Sequence, residues 1–172
     1  VREGVMKREE LKTPVKCEVV KIDVNKVLHD EDFIVAIVSR QLEKQAVNIK
    51  GATIVVSGGY GVGSREGFDK LFELAHLLGG EVGASRAAVD AGFADHERQI
   101  GQTGVTVRPK LYIACGISGQ VQHTAGMSES AMIISINTDP NAPINQIADY
   151  TVIGDYAEVI DRFIESFKRN SK

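Results

Sequence analysis

The stretch Ala52-Thr53-Ile54-Val55-Val56-Ser57-Gly58-Gly59-Tyr60-Gly61-Val62-Gly63-Ser64 decides the fold. Ala52–Val56 is an apolar run of strand length, and it feeds a glycine-rich turn that ends on Ser64, a helix-capping residue. Phe68, Leu71, Phe72, Ala75 and Leu78 then recur at helical spacing until Gly79-Gly80 stops them. This is a strand, a tight turn and an amphipathic helix in sequence.

Downstream the unit repeats. Glu81–Gly83 reads as a short strand leading through Ala84-Ser85-Arg86 into a weak helix. After the loop Gly101-Gln102-Thr103-Gly104, Leu111–Cys115 is a strand ending in Gly116-Ile117-Ser118-Gly119, followed by a helix to about Gly126. Ala131–Ile136 is a strand ending at Asn137, and Tyr150–Ile153 is another, ending at Gly154-Asp155. The last helix, Asp155–Lys168, carries a stripe of Tyr156, Val159, Ile160, Phe163, Ile164 and Phe167. Repetition of this unit predicts an α/β fold, a parallel sheet with helices on both faces. Ligands of such sheets collect at the carboxyl ends of the strands. Tyr60, Ser85, Arg86, Ser118, Asn137 and Asp155 are all expected at that edge.

Upstream the pattern is weaker. Residues 1–14 form a polar lead-in closed by Pro14, Val15–Val24 alternates β-formers with charges as a half-exposed strand would, Phe33–Val38 reads as a second strand and Gln41–Asn48 as a short helix. The expected division is 1–50 as a lead-in and 51–172 as the main domain. The chain opens on Val1 rather than Met, in a charged stretch, and reads as a piece of something longer.

Composition narrows the function. With 172 residues, 43% of them apolar and 25% charged, the chain can bury a core of ordinary size. A net charge of −3 argues against broad nucleic-acid binding and a polybasic membrane anchor. There is no apolar run of about 18 residues and no signal-peptide pattern. Cys17 and Cys115 are the 2 cysteines, far apart and without a CxxC, which argues against a disulfide scaffold or a cysteine zinc site. A reduced, intracellular domain is the expectation. Its 17 glycines are unusually many, and all but Gly4 and Gly51 fall between Gly58 and Gly154, where backbone must approach something closely.

Taken singly, the chemical motifs stay open. Gly59-x-Gly61-x-x-Ser64 is close to a dinucleotide fingerprint but ends in Ser, and without Gly-Lys-Ser/Thr it is no P-loop; it reads equally as a phosphate cradle or a structural turn. His29, His76, His96 and His123 show no metal-ligand spacing, and Asp95 and Glu97 beside His96 read as a solvated loop. Ser118 sits where a nucleophile elbow would, but GxSxG is absent and a capping role suits it better. Arg86, Gln102, Thr103 and His123 are drawn by separate turns toward one edge. A guanidinium, an amide, a hydroxyl and an imidazole around one cleft suit a ligand rich in acceptors that can become anionic.

The motifs Val55-Val56-Ser57-Gly58-Gly59, Gly83-Ala84-Ser85-Arg86-Ala87-Ala88-Val89-Asp90-Ala91-Gly92, Gly101-Gln102-Thr103-Gly104 and Leu111-Tyr112-Ile113-Ala114-Cys115-Gly116-Ile117-Ser118-Gly119 come in order. Gln122-His123-x-x-Gly126-Met127, Ile136-Asn137-x-Asp139-Pro140 and Ala148-Asp149-Tyr150 follow them. Over about residues 50–170 the set resembles the C-terminal, FAD-binding domain of the alpha (large) subunit of electron-transferring flavoprotein. Residues 1–50 resemble the tail of that subunit's N-terminal domain.

The resemblance implies a Rossmann-like fold similar to the NAD/FAD-binding fold of deoxyhypusine synthase, FAD as cofactor, and an electron carrier rather than a substrate-transforming enzyme. It implies a heterodimer with the beta subunit, electrons from acyl-CoA and related dehydrogenases or from NADH, and a downstream acceptor such as a quinone reductase. The location implied is the bacterial cytoplasm or the mitochondrial matrix. By position, Arg86, Gln102, Thr103, Gln122 and His123 would surround the flavin ring and ribityl chain, with His123 donating to a pyrimidine oxygen and Thr103 bonding to N5. Ser85, Ser118, Gly119, Asn137 and Asp155 would hold the pyrophosphate and adenosine, and Gly101, Gln120, Val121 and Tyr156 would complete the site. Arg suits a reduced, anionic flavin because its charge does not titrate away. Tyr60 stands where the family commonly has Arg; it would stack or donate a hydroxyl, and Arg65 would compensate for the lost charge. The rival expectation is an NAD-dependent enzyme on a similar sheet. That enzyme needs a cleft lysine, and Lys70, Lys110 and Lys168 are poorly placed for it.

Overall fold

The computed structural model describes residues 18–29 and 47–170. The chain falls into two compact units, Val1–Gln45 and Ala46–Lys172. In the first, the described residues hold one turn of helix, α1 (Val24–Val27). The strand expected over Val15–Val24 is absent from its described part, since residues 18–23 have no regular structure and Val24 opens α1. Alternating β-formers make a strand only where a partner strand pairs with them, and no strand is assigned over residues 18–23. Phe33–Val38 lies outside the described residues, as does Gln41–Asn48 except for residues 47 and 48, which are not helical.

The second unit is built on five strands: β1 (Ile54–Gly58), β2 (Glu81–Ala84), β3 (Leu111–Cys115), β4 (Ile133–Asn137) and β5 (Tyr150–Ile153). All pair in parallel in the order β2-β1-β3-β4-β5. Their short apolar runs are those of strands covered on both sides, as parallel sheets must be.

One face is covered by the long helices α2 (Arg65–Leu78) and α5 (Tyr156–Asn170). Phe68, Leu71, Leu74 and Ala75 of α2 and Ile160 and Ile164 of α5 meet Val56, Ile113, Cys115 and Ile136 of the sheet. Ser64 caps α2, its Oγ accepting from the Gly67 N–H at 3.1 Å. Gly79 ends the helix at φ +67, a conformation that costs a residue with a Cβ about 1 kcal/mol or more. Phe72 is not inward as its spacing suggests: it is 39% exposed, with the Arg98 guanidinium 4.7 Å from its ring centre. Phe163 and Phe167 also lie at the margin of their stripe rather than in the core.

The other face carries Val55, Tyr112, Ala114 and Ile133, covered by Ile49, Ile100, Val107, Ile117, Met127, Ala142 and Ile144. These come mainly from loops. Helices occur on this side too, but as short turns: α4 (Val121–Thr124) brings His123 onto Tyr112, and the 3-10 turn Pro143–Gln146 supplies Ile144. Between β2 and β3 stands the one-turn-and-a-half helix α3 (Arg86–Asp90). On the outer edge of β2, Arg98 donates to the Val82 carbonyl at 2.9 Å and pairs with Glu81 at 3.5 Å, which blunts that edge against further strand pairing.

Candidate cofactor site at the carboxyl edge of the sheet

The chain leaves β1 toward β2 on one side and leaves β3 toward β4 on the other, so the direction of winding switches between β1 and β3. The loops leaving these two strands part there, and that is where α/β sheets bind ligands. They also touch. Gly59 N–H donates to the Cys115 carbonyl at 2.8 Å and Gly61 N–H to the Gly116 carbonyl at 3.1 Å. A Cβ on Gly59 would lie 2.1 Å from the Gly116 carbonyl oxygen, and Gly116 itself sits at φ +59. The glycines at the ends of β1 and β3 therefore let two loops pack backbone to backbone.

The residues singled out in the sequence lie on the turns and helix starts that follow the strands. Ser85 and Arg86 follow β2. Ser85 is buried, its N–H donates to the Gly58 carbonyl at 2.9 Å, and its Oγ caps α3 by accepting from Ala88 N–H at 3.3 Å. That fixes Arg86 as the first residue of α3, with its side chain 68% exposed. Its protein partner is Asp90 at 3.4 Å, itself 65% exposed, a pairing weak enough in water to leave the guanidinium available.

Gly101-Gln102-Thr103 sits against the end of β2, since Ile100 N–H donates to the Ala84 carbonyl at 2.9 Å. Gln102 N–H reaches the Gln122 carbonyl at 2.7 Å, tying this turn to α4. Gln102, Thr103, Ser118, Gln120, Val121 and Gln122 are exposed, while Gly101 and Gly119 are buried within their turns. Asn137, at the end of β4, donates through Nδ2 to the Ile117 carbonyl at 2.8 Å and accepts from Asp139 N–H at 3.0 Å. After β5, Asp155 caps α5 by accepting from Ala157 N–H at 2.8 Å and Glu158 N–H at 3.3 Å. Tyr156 donates to the Val62 carbonyl at 3.0 Å, anchoring the loop after β1 to α5.

His123 is placed differently from the rest. It is 7% exposed, with Nε2 2.9 Å from the Tyr112 hydroxyl and Nδ1 3.1 Å from the Ile100 carbonyl. Ile100 can only accept, so Nδ1 carries the proton and Nε2 accepts from Tyr112, whose hydroxyl burial keeps protonated. Burial pushes the His123 pKa down to about 4, only partly offset by the Ile100 carbonyl. Both ring nitrogens are thus engaged inside the protein. A bond from His123 to a flavin oxygen requires one of them to be released.

Tyr60 is 64% exposed beside the switch, its ring centre 5.7 Å from that of Phe93. Arg65 is engaged by Asp95 at 3.3 Å. The lysines weighed for an enzymatic role point elsewhere: Lys70 pairs with Asp161 at 2.6 Å and Lys168 with Glu73 at 3.0 Å, linking α2 to α5, and Lys110 precedes β3 at the opposite end of the sheet. Among the described residues no three His, Cys, Asp or Glu side chains group to hold a metal, and no helix is long and apolar enough to cross a membrane. Cys115 is buried at the foot of the site, its thiol pushed up to about 12 by burial and so inert.

The donor chemistry fits a dinucleotide flavin. The edge offers a guanidinium, amides and hydroxyls, and the turns opening at Tyr60 and Val121 start without a side-chain cap. Its carboxylates are already engaged, Asp155 and Asp139 by backbone N–H groups and Asp90 by Arg86. A diphosphate, sugar hydroxyls and ring carbonyls need such a set. Two residues escaped the sequence reading: Gln99, 4% exposed and bonded to Thr103, and Tyr112, which holds His123. Nothing in their spacing marks them, because both act through pairings that only the fold creates.

Comparison with known proteins agrees with this chemistry. Residues 48–128 match the family described as electron transfer flavoprotein FAD-binding domain. The chain is 51% identical over 170 residues to the electron transfer flavoprotein subunit alpha of Thermoanaerobacterium thermosaccharolyticum, covering 98% of this chain and 51% of that protein. It is 56% identical over 123 residues to the Bacillus subtilis subunit alpha, covering 72% and 38% respectively. With the mitochondrial subunit alpha of Dictyostelium discoideum the identity is 52% over 122 residues, covering 71% and 34%. The chain thus spans about half the length of the first of these relatives and less of the others. Residues 48–128, which hold β1 to β3, match that family's FAD-binding domain, and the chain belongs to the electron transfer flavoprotein alpha-subunit family.

Proposed function

We propose that this chain holds the FAD of an electron carrier that works as a heterodimer with an electron transfer flavoprotein beta subunit. The carrier takes electrons from flavoprotein dehydrogenases, such as acyl-CoA dehydrogenases, or from NADH. It delivers them to a downstream acceptor such as a quinone reductase. Residues 51–172 are read as the FAD-binding domain and 1–50 as the end of the preceding domain. The observation that carries the reading is Arg86: an exposed guanidinium, fixed at the first residue of α3 by the buried cap Ser85, at an edge made of hydrogen-bond donors.

When bound, FAD supplies the one- and two-electron chemistry. The protein's own task is to bind, orient and tune. Arg86, Gln102, Thr103 and Gln122 serve the ring and ribityl side, with His123 holding Ile100 beneath them. Ser85, Ser118, Gly119 and Asn137 serve the diphosphate and adenosine side together with the start of α5 at Asp155 and Tyr156, while Gly101, Gln120 and Val121 shape the turns between. The Arg86 charge stabilises negative charge that builds up on reduction, and it persists at every physiological pH. His123, the imidazole that follows β3, is buried and held neutral, so it serves as a support rather than as an acid–base group.

Titration of the 172-residue chain with FAD, followed by flavin fluorescence beside NAD⁺ and an Arg86→Ala variant, tests this. Saturable FAD binding is expected, with the variant weaker by about tenfold, the worth of a charge-assisted hydrogen bond. Redox titration should show a lower midpoint potential in the variant. NAD⁺ binding without FAD binding would sink the carrier reading.

A further inference from the structure

Gln99 stands at the foot of the Gly101–Gly104 turn, locked on all sides. Its N–H donates to the His96 carbonyl at 3.0 Å, its carbonyl accepts from Val105 N–H at 2.8 Å, and its side chain is buried. The side-chain Nε2 donates to Thr103 Oγ1 at 3.0 Å. Thr103 is exposed on the same turn, and among the described residues its hydroxyl has no other protein partner.

A hydroxyl has one proton and two lone pairs. Once a buried amide fills a lone pair from behind, the proton cannot turn inward, because Nε2 accepts nothing. It is left to point away from Gln99, toward the exposed side of the turn. We propose that Gln99 is a positioning residue: it orients the Thr103 hydroxyl as a donor toward an acceptor atom of the bound flavin. Accepting one bond also polarises the hydroxyl for donating the next. This rests on the reading that Thr103 faces FAD. It goes further by assigning the direction of that hydrogen bond to a residue that itself never meets the cofactor.

Replacement by the isosteric acid separates orientation from packing. In Gln99→Glu the carboxylate is a pure acceptor and draws the Thr103 proton inward, so the cleft loses its donor. Flavin-fluorescence titrations of the 172-residue chain, wild type against Gln99→Glu, Thr103→Val and the double variant, read this out. Thr103→Val is expected to weaken FAD about fivefold to tenfold, the worth of one hydrogen bond. Gln99→Glu should lose as much at pH 8, and the double variant no more than Thr103→Val alone. At pH 5 the buried carboxyl takes up a proton, becomes a donor again and recovers most of the loss relative to wild type at that pH; a role in packing alone gives no such recovery. Should Gln99→Glu fail to fold, Gln99→Met keeps the volume without the donor, and its smaller loss should vanish in the Thr103→Val background. If Thr103→Val weakens FAD while Gln99→Glu binds like wild type at both pH values, the orientation is wrong and the site reading stands. If Thr103→Val changes nothing, or the wild type binds no FAD, the site reading falls and this inference with it.

Discussion

Burial drives the His123 pKa from 6.5 to about 4, and the Tyr112 and Ile100 partners leave the neutral ring no unmet need. The linkage follows directly. The unfolded chain takes up a proton near pH 6.5 and the folded chain only near pH 4, so between those values unfolding binds a proton and stability falls as the pH drops. At about 1.4 kcal/mol per pH unit this single group costs about 2 kcal/mol between pH 6.5 and pH 5, and roughly 3 kcal/mol once both states are protonated. Urea unfolding at pH 7 and pH 5 should show that loss, and His123→Gln should remove this part of the pH dependence even though it lowers stability at pH 7. A slope unchanged by the substitution would mean that His123 titrates normally. The imidazole is thus first an internal strut between β3 and the Gly101 turn, a role that the motif Gln122-His123 does not announce.

The elements around the site are short, and their termini matter more than their lengths. Ser64 and Ser85 make the same kind of cap, Oγ accepting from the N–H three residues on, at 3.1 and 3.3 Å. Their consequences should differ. Ser64→Ala removes a cap from the fourteen-residue α2 and should cost about 1 kcal/mol with FAD affinity unchanged, because α2 has an independent hold on the sheet through Phe68 and Leu71. Ser85→Ala releases the start of the five-residue α3, so Arg86 loses its fixed position and FAD affinity should fall several-fold. Thermal unfolding and flavin titration of the two variants make the comparison; equal effects on FAD would show that the caps do not position the ligand. These serines were legible in the sequence because a cap is a local signal between a strand and a helical stripe. The strands β3 and β5 have their expected limits, Leu111–Cys115 and Tyr150–Ile153, for the same local reason. What the pattern could not give is side-chain depth and pairing across the fold. Phe72 and Leu74 are both apolar and two residues apart, yet the inward one is Leu74. Val15–Val24 alternates like a strand but is not one across its described residues, and Gln99 looks like any loop amide until the turn closes over it.

The two sides of the sheet differ in how they are covered, and that difference sets where the folding unit begins. One side is closed by α2 and α5 and is complete within residues 56–164. The other is closed by loops, and its cover includes Ile49, 2% exposed, with Val47 and Ala52 packed on the same cluster. The described side chains of both clusters belong to the unit Ala46–Lys172. A chain of residues 46–172 should therefore unfold in one cooperative transition. A chain beginning at residue 51 has the whole sheet and every carboxyl-edge residue but lacks Ile49. Losing a fully buried isoleucine should cost about 2–4 kcal/mol, combining lost burial with the cavity left in that cluster. Because Ile49 lies among the residues covering the face that also holds His123 and Ile100, FAD binding should weaken along with stability in the shorter chain. Ile49→Ala in the longer chain should reproduce most of both effects. Urea midpoints and FAD titrations of the three chains decide it: equal stability of the 46–172 and 51–172 chains would place the boundary of the FAD-binding unit at the first strand, whereas the expected gap places it at the buried isoleucine before that strand.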